Sequence, residues 1–391
     1  MSTQIQSPKH GEVKDTRRVL ALANHAQTSP KQASTFQYVE AHIIVTVPPP
    51  MSRYAAVHVD PQGAGDARPT ALQIVQDEGL VGQLAGKVML ITGGSAGIGV
   101  ETARAFHATG AKVLLTVRDV QKGQQVVDSI LSDKDSSKAE IILIKMELGS
   151  LESVRVGVKE ILSKTDKLNV IVNNAGVMAT PEGRTVDGFE TQFGTCHVAH
   201  FLLFQLLKAT LLKSSTPAFQ SRVVCVASTG HRGGPVRVDD YNFDQPSSYD
   251  PWVAYGQAKT ANIYLANELE RRYSSHGLHG ISIHPGAIRS GLQVHSNDTM
   301  GDVWELPEVK AREKTPAQGA ATSVYAALSR DCEGKGGVFL ANCAVMGPFR
   351  GNSSLDITDD GYASHAYDAV LEGRLWKDSL RMVSLDDDEG R

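Results

Sequence analysis

From Lys87 onward, short runs of apolar, largely β-branched residues recur, each followed by a longer amphipathic stretch. No other feature constrains the fold as tightly. The runs span residues 87–92, 111–117, 140–146, 168–173, 222–227, 280–284 and 336–341. Within each run successive positions are apolar, so neither face suits water. Strands of that kind belong to parallel sheets covered by helices on both sides. Right-handed crossovers then predict a doubly wound α/β domain, with its ligand crevice at the carboxyl ends of the strands. The expectation is a single domain over residues 87–345, with a mostly parallel sheet of about seven strands.

The flanks read differently. In residues 51–86 the stretch PTALQIVQDEGL, with Pro69 at its start, predicts an arm and a short helix. Residues 346–391 predict a C-terminal helix and a solvated acidic tail, Asp386 to Glu389. Residues 1–50 are polar and mixed in sign, with one β-like run (Ile43 to Val47) before Pro48-Pro49-Pro50. They read as a disordered extension that contributes nothing to the fold. The alternative is that Met51 is the working start and 1–50 comes from the gene model.

A net charge of −4 gives no reason to expect nucleic acid as a partner. Cys196, Cys225, Cys332 and Cys343 lie far apart without CxxC or Cys/His ligand spacing. A metal centre or disulfide framework is therefore not expected, and reduced thiols inside the cell are. No signal-peptide pattern opens the chain, and no unbroken apolar run approaches the roughly 18 residues a membrane span requires. The expected location is the cytoplasm; self-association is left open.

The first strand run leads into Thr92-Gly93-Gly94-Ser95-Ala96-Gly97-Ile98-Gly99 and then a helical pattern. Glycines there allow a tight turn, close approach to a pyrophosphate and helix–strand packing, while the helix start offers free N–H groups to phosphate. In a parallel αβ series this is a Rossmann-type dinucleotide turn, with Gly93, Ser95, Gly97, Ile98 and Gly99 around the cofactor. Arg118 follows the second run, where an arginine suits a 2′-phosphate and an acid suits ribose hydroxyls. The plainer reading is a surface arginine, and Asp119 beside it weighs the other way. Arg118 is nonetheless expected to select NADP(H).

Asn173-Asn174-Ala175-Gly176 closes the fourth run, where an amide can tie strands together and a small backbone can lie under a cofactor. Tyr255-Gly256-Gln257-Ala258-Lys259 sets a phenol and an ammonium at i and i+4, on one helix face. Alone, that spacing is common on exposed helices. Beside a cationic group, however, a phenol becomes a workable acid–base group near neutral pH.

In this order the motifs resemble those of the short-chain dehydrogenase/reductase family: TGxxxGxG, NNAG and Tyr-x-x-x-Lys, over roughly residues 87–345. DGFETQFG (187–194), HVAHFLL (197–203), ASTGH (227–231), HPGAIRSG (284–291), RLW (374–376) and DARPTALQIVQDEG (66–79) are similar to its retinol-dehydrogenase-like branch, particularly fungal members. The resemblance implies that Ser228 hydrogen-bonds a substrate carbonyl and that Tyr255 exchanges the proton. Lys259 would bind the nicotinamide ribose and favour the phenolate. Asn174, Ala175 and Gly176 would line the cofactor, and Pro285, Gly286 and Ser290 would lie against the nicotinamide. Cys196 stands where the family has an asparagine that helps hold a water beside the lysine. A thiol is a weaker hydrogen-bond partner, so the relay is expected to be slower or rerouted; Cys196 as a nucleophile is the other reading.

Between Ser228 and Tyr255, Tyr241, Phe243, Tyr249 and Trp252 either line an apolar pocket or pack their loop onto the domain. Residues 291–315 read as a lid, and His231 and His284 as structural. The implied activity is NADP(H)-dependent reduction of a ketone, or oxidation of a secondary alcohol, on a bulky apolar small molecule in fungal secondary metabolism. The contrasting reading is a cofactor-binding sensor, cyclase or isomerase without redox turnover; a pure interaction protein would need an appended module that the chain does not display.

Overall fold

A computed structural model describes residues 52–133, 137–353 and 356–387. The 1–50 extension and the end of the acidic tail lie outside the described residues. The strands are β1 (Val88–Thr92), β2 (Lys112–Val117), β3 (Ile141–Lys145), β4 (Val170–Asn173), β5 (Ser221–Val226), β6 (Leu278–His284), β7 (Ala287–Ile288), β8 (Glu313–Lys314), β9 (Val338–Ala341) and β10 (Ala344–Val345). Eight of them form one sheet in the order β10-β9-β6-β5-β4-β1-β2-β3, while β7 and β8 pair separately.

All seven predicted runs are strands of the main sheet, and their pairings are parallel. The eighth strand, β10, is antiparallel to β9. The turn between them is made by Asn342 and Cys343, at φ of 53° and 55°. A hairpin this tight needs positive φ at both positions, and neither a glycine nor a proline marks it in the sequence.

Burial on both faces explains the runs. Met89 and Ile91 enter one apolar layer, against the helices Ile98–Ala108 and Ala321–Leu328. Val88 and Leu90 enter the other, against the helices Leu151–Lys164, Thr191–Ser214 and Pro251–Tyr273. Alternate side chains point to opposite faces of a strand, so a strand covered twice must be apolar throughout. The short helix of the arm is Ala71–Asp77; Thr70 caps it by accepting Gln73 N–H, so Pro69 stands before the cap rather than inside the first turn.

The C-terminal helix Ala369–Met382 buries Leu375, Trp376 and Leu380 in the second layer. Thr191–Ser214 is long and apolar enough to cross a membrane by length and composition, which a search for unbroken apolar runs does not find. Its most apolar window is 61% buried inside the fold, as expected of a core helix. Strand order reverses between β1 and β4, and the crevice of a doubly wound sheet opens at such a reversal.

Candidate active site

The glycine turn leaves β1 and the NNAG segment leaves β4, so both lie at that reversal. Gly93 has φ of 74°, and a Cβ there would meet Ala175 at 2.9 Å, so only glycine lets the two segments approach this closely. Gly93 and Gly94 N–H donate to Thr116 O at 3.2 and 3.1 Å, pinning the turn to β2. Gly97, at φ 62° and ψ −140°, is the N-cap of helix Ile98–Ala108, and no side chain among the described residues caps it. By contrast, Asp119, Ser150, Asp250 and Asp368 each cap their own helices. An uncapped helix start behind a positive-φ glycine turn fits a dinucleotide phosphate. Ser95 is half-buried within the turn, and Ser290 reaches it from the far side, 3.6 Å from where a Gly97 Cβ would stand.

Thr92 was part of the motif in the sequence but had no role assigned; in the structure it is a hub. Its hydroxyl oxygen accepts the N–H groups of Asn174 and Ala175, both at 3.0 Å. Asn174 Nδ2 donates to Thr92 O at 2.7 Å. His200 Nδ1 lies 2.9 Å from Cys196 O, which can only accept, so Nδ1 carries the proton and Nε2 accepts from the Thr92 hydroxyl at 2.8 Å. Burial pushes the His200 pKa down to about 4, consistent with this neutral form.

Lys259 and Tyr255 share a face of Pro251–Tyr273, with Nζ 5.5 Å from the phenol ring centre. Lys259 Nζ donates to Val226 O at 3.0 Å. Ser228 follows β5, and Gly230 N–H donates to its Oγ at 3.0 Å, leaving the hydroxyl hydrogen to donate outward. A Cβ on Gly230 would stand 2.9 Å from the Tyr255 ring and 3.3 Å from Ser228 Oγ, so serine and tyrosine flank one glycine. Likewise a Cβ on Gly176 would stand 3.1 Å from Cys196 Sγ and 3.5 Å from Lys259 Nζ. Cys196 is fully buried in a π-helical turn, Gly194–Val198, its thiol 3.7 Å from Val177 O.

His231 bridges Ser228 to the C-terminal segment. Ala363 N–H donates to its Nε2 at 3.0 Å, and its Nδ1–H donates to Ser228 O at 2.6 Å. Burial pushes its pKa down to about 3. His284 is also buried, and Thr229 N–H donates to its Nδ1 at 3.3 Å. Of the loop aromatics, Tyr241 stacks on Phe193 and donates to Asp378, Phe243 is buried under Arg237, and Tyr249 donates to Thr180 O. These three pack the loop down. Trp252 meets Tyr255 edge-on, with ring centres 6.3 Å apart.

Arg118 stands just past β2 with its side chain 80% exposed, 3.6 Å from Glu147. The Asp119 carboxylate is occupied as a helix cap, accepting from Gln121 and Lys122 N–H. Pro285, Gly286 and Ser290 lie beyond β6, and sequence reasoning missed the lysine beneath them: Lys314 is buried and donates to Pro285 O at 3.3 Å and Asn342 Oδ1 at 2.8 Å. Burial pushes its pKa down. No local pattern distinguishes it from a surface lysine. Among the described residues no cluster of His, Cys, Asp or Glu could hold a metal ion.

A doubly wound sheet, a glycine turn at its switch point and neighbouring Ser, Tyr and Lys side chains fit the class of nicotinamide-dinucleotide oxidoreductases. Comparison with known proteins is specific. Residues 87–242 match the short chain dehydrogenase family model. The chain is 47% identical over 334 residues to short-chain dehydrogenase/reductase prx1 of Penicillium roqueforti, covering 85% of this chain and 95% of that one. It is 39% identical over 303 residues to human retinol dehydrogenase 11, covering 78% and 87%. A crystal structure of a putative uncharacterized protein from Mycobacterium paratuberculosis matches with a TM-score of 0.58 at 29% identity, covering 77% and 95%. The chain belongs to the short-chain dehydrogenase/reductase family, in its retinol-dehydrogenase-like branch with fungal members. It is an oxidoreductase acting on a small molecule with a nicotinamide dinucleotide.

Proposed function

We propose that the protein is an NADP(H)-dependent carbonyl reductase, or the reverse alcohol dehydrogenase, for a bulky apolar ketone or secondary alcohol. The observation that carries this reading is the placement of Ser228 and Tyr255 on either side of Gly230, with Lys259 on the Tyr255 helix face. The nicotinamide, when bound, supplies or accepts the hydride. The chain manages position and proton. The Ser228 hydroxyl donates a hydrogen bond to the carbonyl oxygen, and Tyr255 gives its phenolic proton to that oxygen as the carbonyl carbon gains hydride. The Lys259 ammonium, anchored on Val226 O, holds the ribose and steadies the phenolate left behind. In the oxidation direction Tyr255 takes the proton back.

Gly93, Ser95, Gly97, Ile98 and Gly99 hold the pyrophosphate; Asn174, Ala175 and Gly176 floor the site; Pro285, Gly286 and Ser290 wall the nicotinamide. A bulky apolar substrate is supported by Trp252 beside Tyr255 and by the human relative, whose name makes retinol its substrate. The 47% identity to a Penicillium protein supports a fungal setting, and we place the proposed reaction in secondary metabolism there. Four buried, unpaired cysteines support a reducing compartment, the cytoplasm. Steady NADPH oxidation with a panel of such ketones tests the reading. The second reading, cofactor binding without turnover, draws support from the buried thiol of Cys196 in place of an amide.

NADP(H) preference rests on Arg118, exposed at the end of β2, and on Asp119 being committed to its helix. Arg118→Ala is expected to weaken NADPH binding by about 1.5–3 kcal/mol, the worth of a charge-assisted hydrogen bond. NADH binding should be nearly unchanged. Titration of both cofactors checks this, and equal losses would remove Arg118 from the 2′-phosphate.

A further inference from the structure

We infer that Arg68, in the arm that precedes the dinucleotide domain, is a positioning residue for the cofactor-facing loop Pro285–Ile288. This rests on the cofactor reading above. The Arg68 guanidinium is buried, with 4% of the residue exposed. Its Nη1 donates to Arg312 O at 2.9 Å, and its Nη2 to Glu313 O at 2.6 Å and Gly63 O at 2.9 Å. Its Nε donates to Asp66 Oδ1 at 2.7 Å. From the opposite side Gln318 Nε2 donates to Asp66 Oδ1 at 3.0 Å and Arg68 O at 3.1 Å, while its Oε1 accepts Gly65 N–H at 2.9 Å and Thr315 N–H at 3.0 Å. Gly63 N–H donates to Ala311 O at 2.8 Å. Residues 63–68 are thus clamped onto residues 311–318 by a charged, desolvated network.

The clamped segment faces the site. Glu313 and Lys314 form β8, which pairs with Ala287 and Ile288. Lys314 donates to Pro285 O, and its side chain passes 2.9 Å from where a Cβ on Gly286 would stand. Gly319 packs against both Ile288 and Ile98, the first residue of the helix behind the glycine turn. Arg68 touches none of the proposed cofactor residues, yet it holds the carbonyls of Arg312 and Glu313, so the strand that pairs with Ala287 and Ile288 is tied to it. A two-residue β bridge is weak support for a loop. Losing the guanidinium would take a buried charged donor from the carbonyls of Arg312, Glu313 and Gly63, of which Gly63 O keeps the Asp66 N–H at 3.2 Å. The loop would then lose its fixed position against the nicotinamide, and precise placement is what such a site requires.

The test compares wild type, Arg68→Ala, Arg68→Lys and Val75→Ala for NADPH Kd by nicotinamide fluorescence, for kcat at saturating cofactor, and for melting temperature. Val75 is fully buried in the arm's helix, away from the clamp, and serves as a control for loss of stability alone. Arg68→Ala is expected to raise NADPH Kd about tenfold, within the range for a lost charge-assisted bond, with a much smaller effect on kcat. Arg68→Lys keeps the charge but replaces a planar fork that reaches four separated acceptors by a single ammonium, so it should fall between; it carries the test if Arg68→Ala does not fold. Val75→Ala should lower the melting temperature and leave Kd unchanged. A Kd near the wild-type value in the Arg68 variants despite lower melting temperatures, or an equal Kd rise in Val75→Ala, overturns the inference. Failure of the wild type to bind NADPH or NADH would overturn the cofactor reading itself, and the inference with it.

Discussion

Tyr255→Phe is expected to lower turnover by roughly a hundredfold to ten-thousandfold, the range for removing a general acid–base group, while NADPH still binds. The substitution isolates the proton. Tyr255 is 5% exposed, its ring lies edge-on to Trp252 and closes on Gly230, and phenylalanine keeps all of that packing. The ammonium of Lys259 stays on Val226 O. Only the hydroxyl that would reach the substrate oxygen is lost. Steady-state rates beside a cofactor titration separate chemistry from binding. If Tyr255→Phe keeps most of its turnover, the proton comes from elsewhere and the proposed roles of Ser228 and Lys259 lose their basis.

Trp376→Ala is expected to cost about 3–5 kcal/mol of stability, as for other large-to-small changes in packed cores. Trp376 is 3% exposed, meets Phe201 edge-on at 5.0 Å and Phe204 at 6.2 Å, and lies under the Arg272 guanidinium. Its helix also tethers Ser379 to His197 and Glu372 to Asn267. At this chain length the melting temperature should drop by several degrees. Trp376→Phe should lose much less, because the indole N–H has no hydrogen-bond partner among the described residues to forfeit. A melting curve for Trp376→Ala that overlays the wild type would mean that the C-terminal helix is not part of the core.

Seven of the eight sheet strands were legible because burial within a covered sheet leaves a local mark, a largely apolar run. The glycine turn was legible because positive φ and close approach restrict residue choice, as at Gly93. Ser228, Tyr255 and Lys259 could be matched to a family pattern and do converge, although no spacing in the sequence states that Gly230 lies between the first two. What stayed hidden depends on partners far along the chain. Arg68 and Lys314 look like ordinary surface cations until residues 63–68 meet residues 311–318. The Thr92–His200 link joins a strand end to a helix interior. The loop aromatics fitted a pocket or packing equally well, and only the Phe193 and Thr180 contacts decide for packing in Tyr241 and Tyr249. The β9–β10 turn lacked a signal because Asn342 and Cys343 take a conformation usually given to glycine.

Redox turnover at the Ser228–Tyr255–Lys259 set has a direct signature in the fate of the cofactor hydride. The most direct measurement follows deuterium from NADPH labelled at nicotinamide C4 into products formed from bulky apolar ketones. Label is expected on the carbinol carbon of a product alcohol, formed by wild type with one of the two C4 positions as donor and lost in Tyr255→Phe. Tight NADPH binding with no label transferred to any ketone, and none recovered in the reverse direction from the matching alcohols, would contradict it and favour a cofactor-binding protein without redox chemistry.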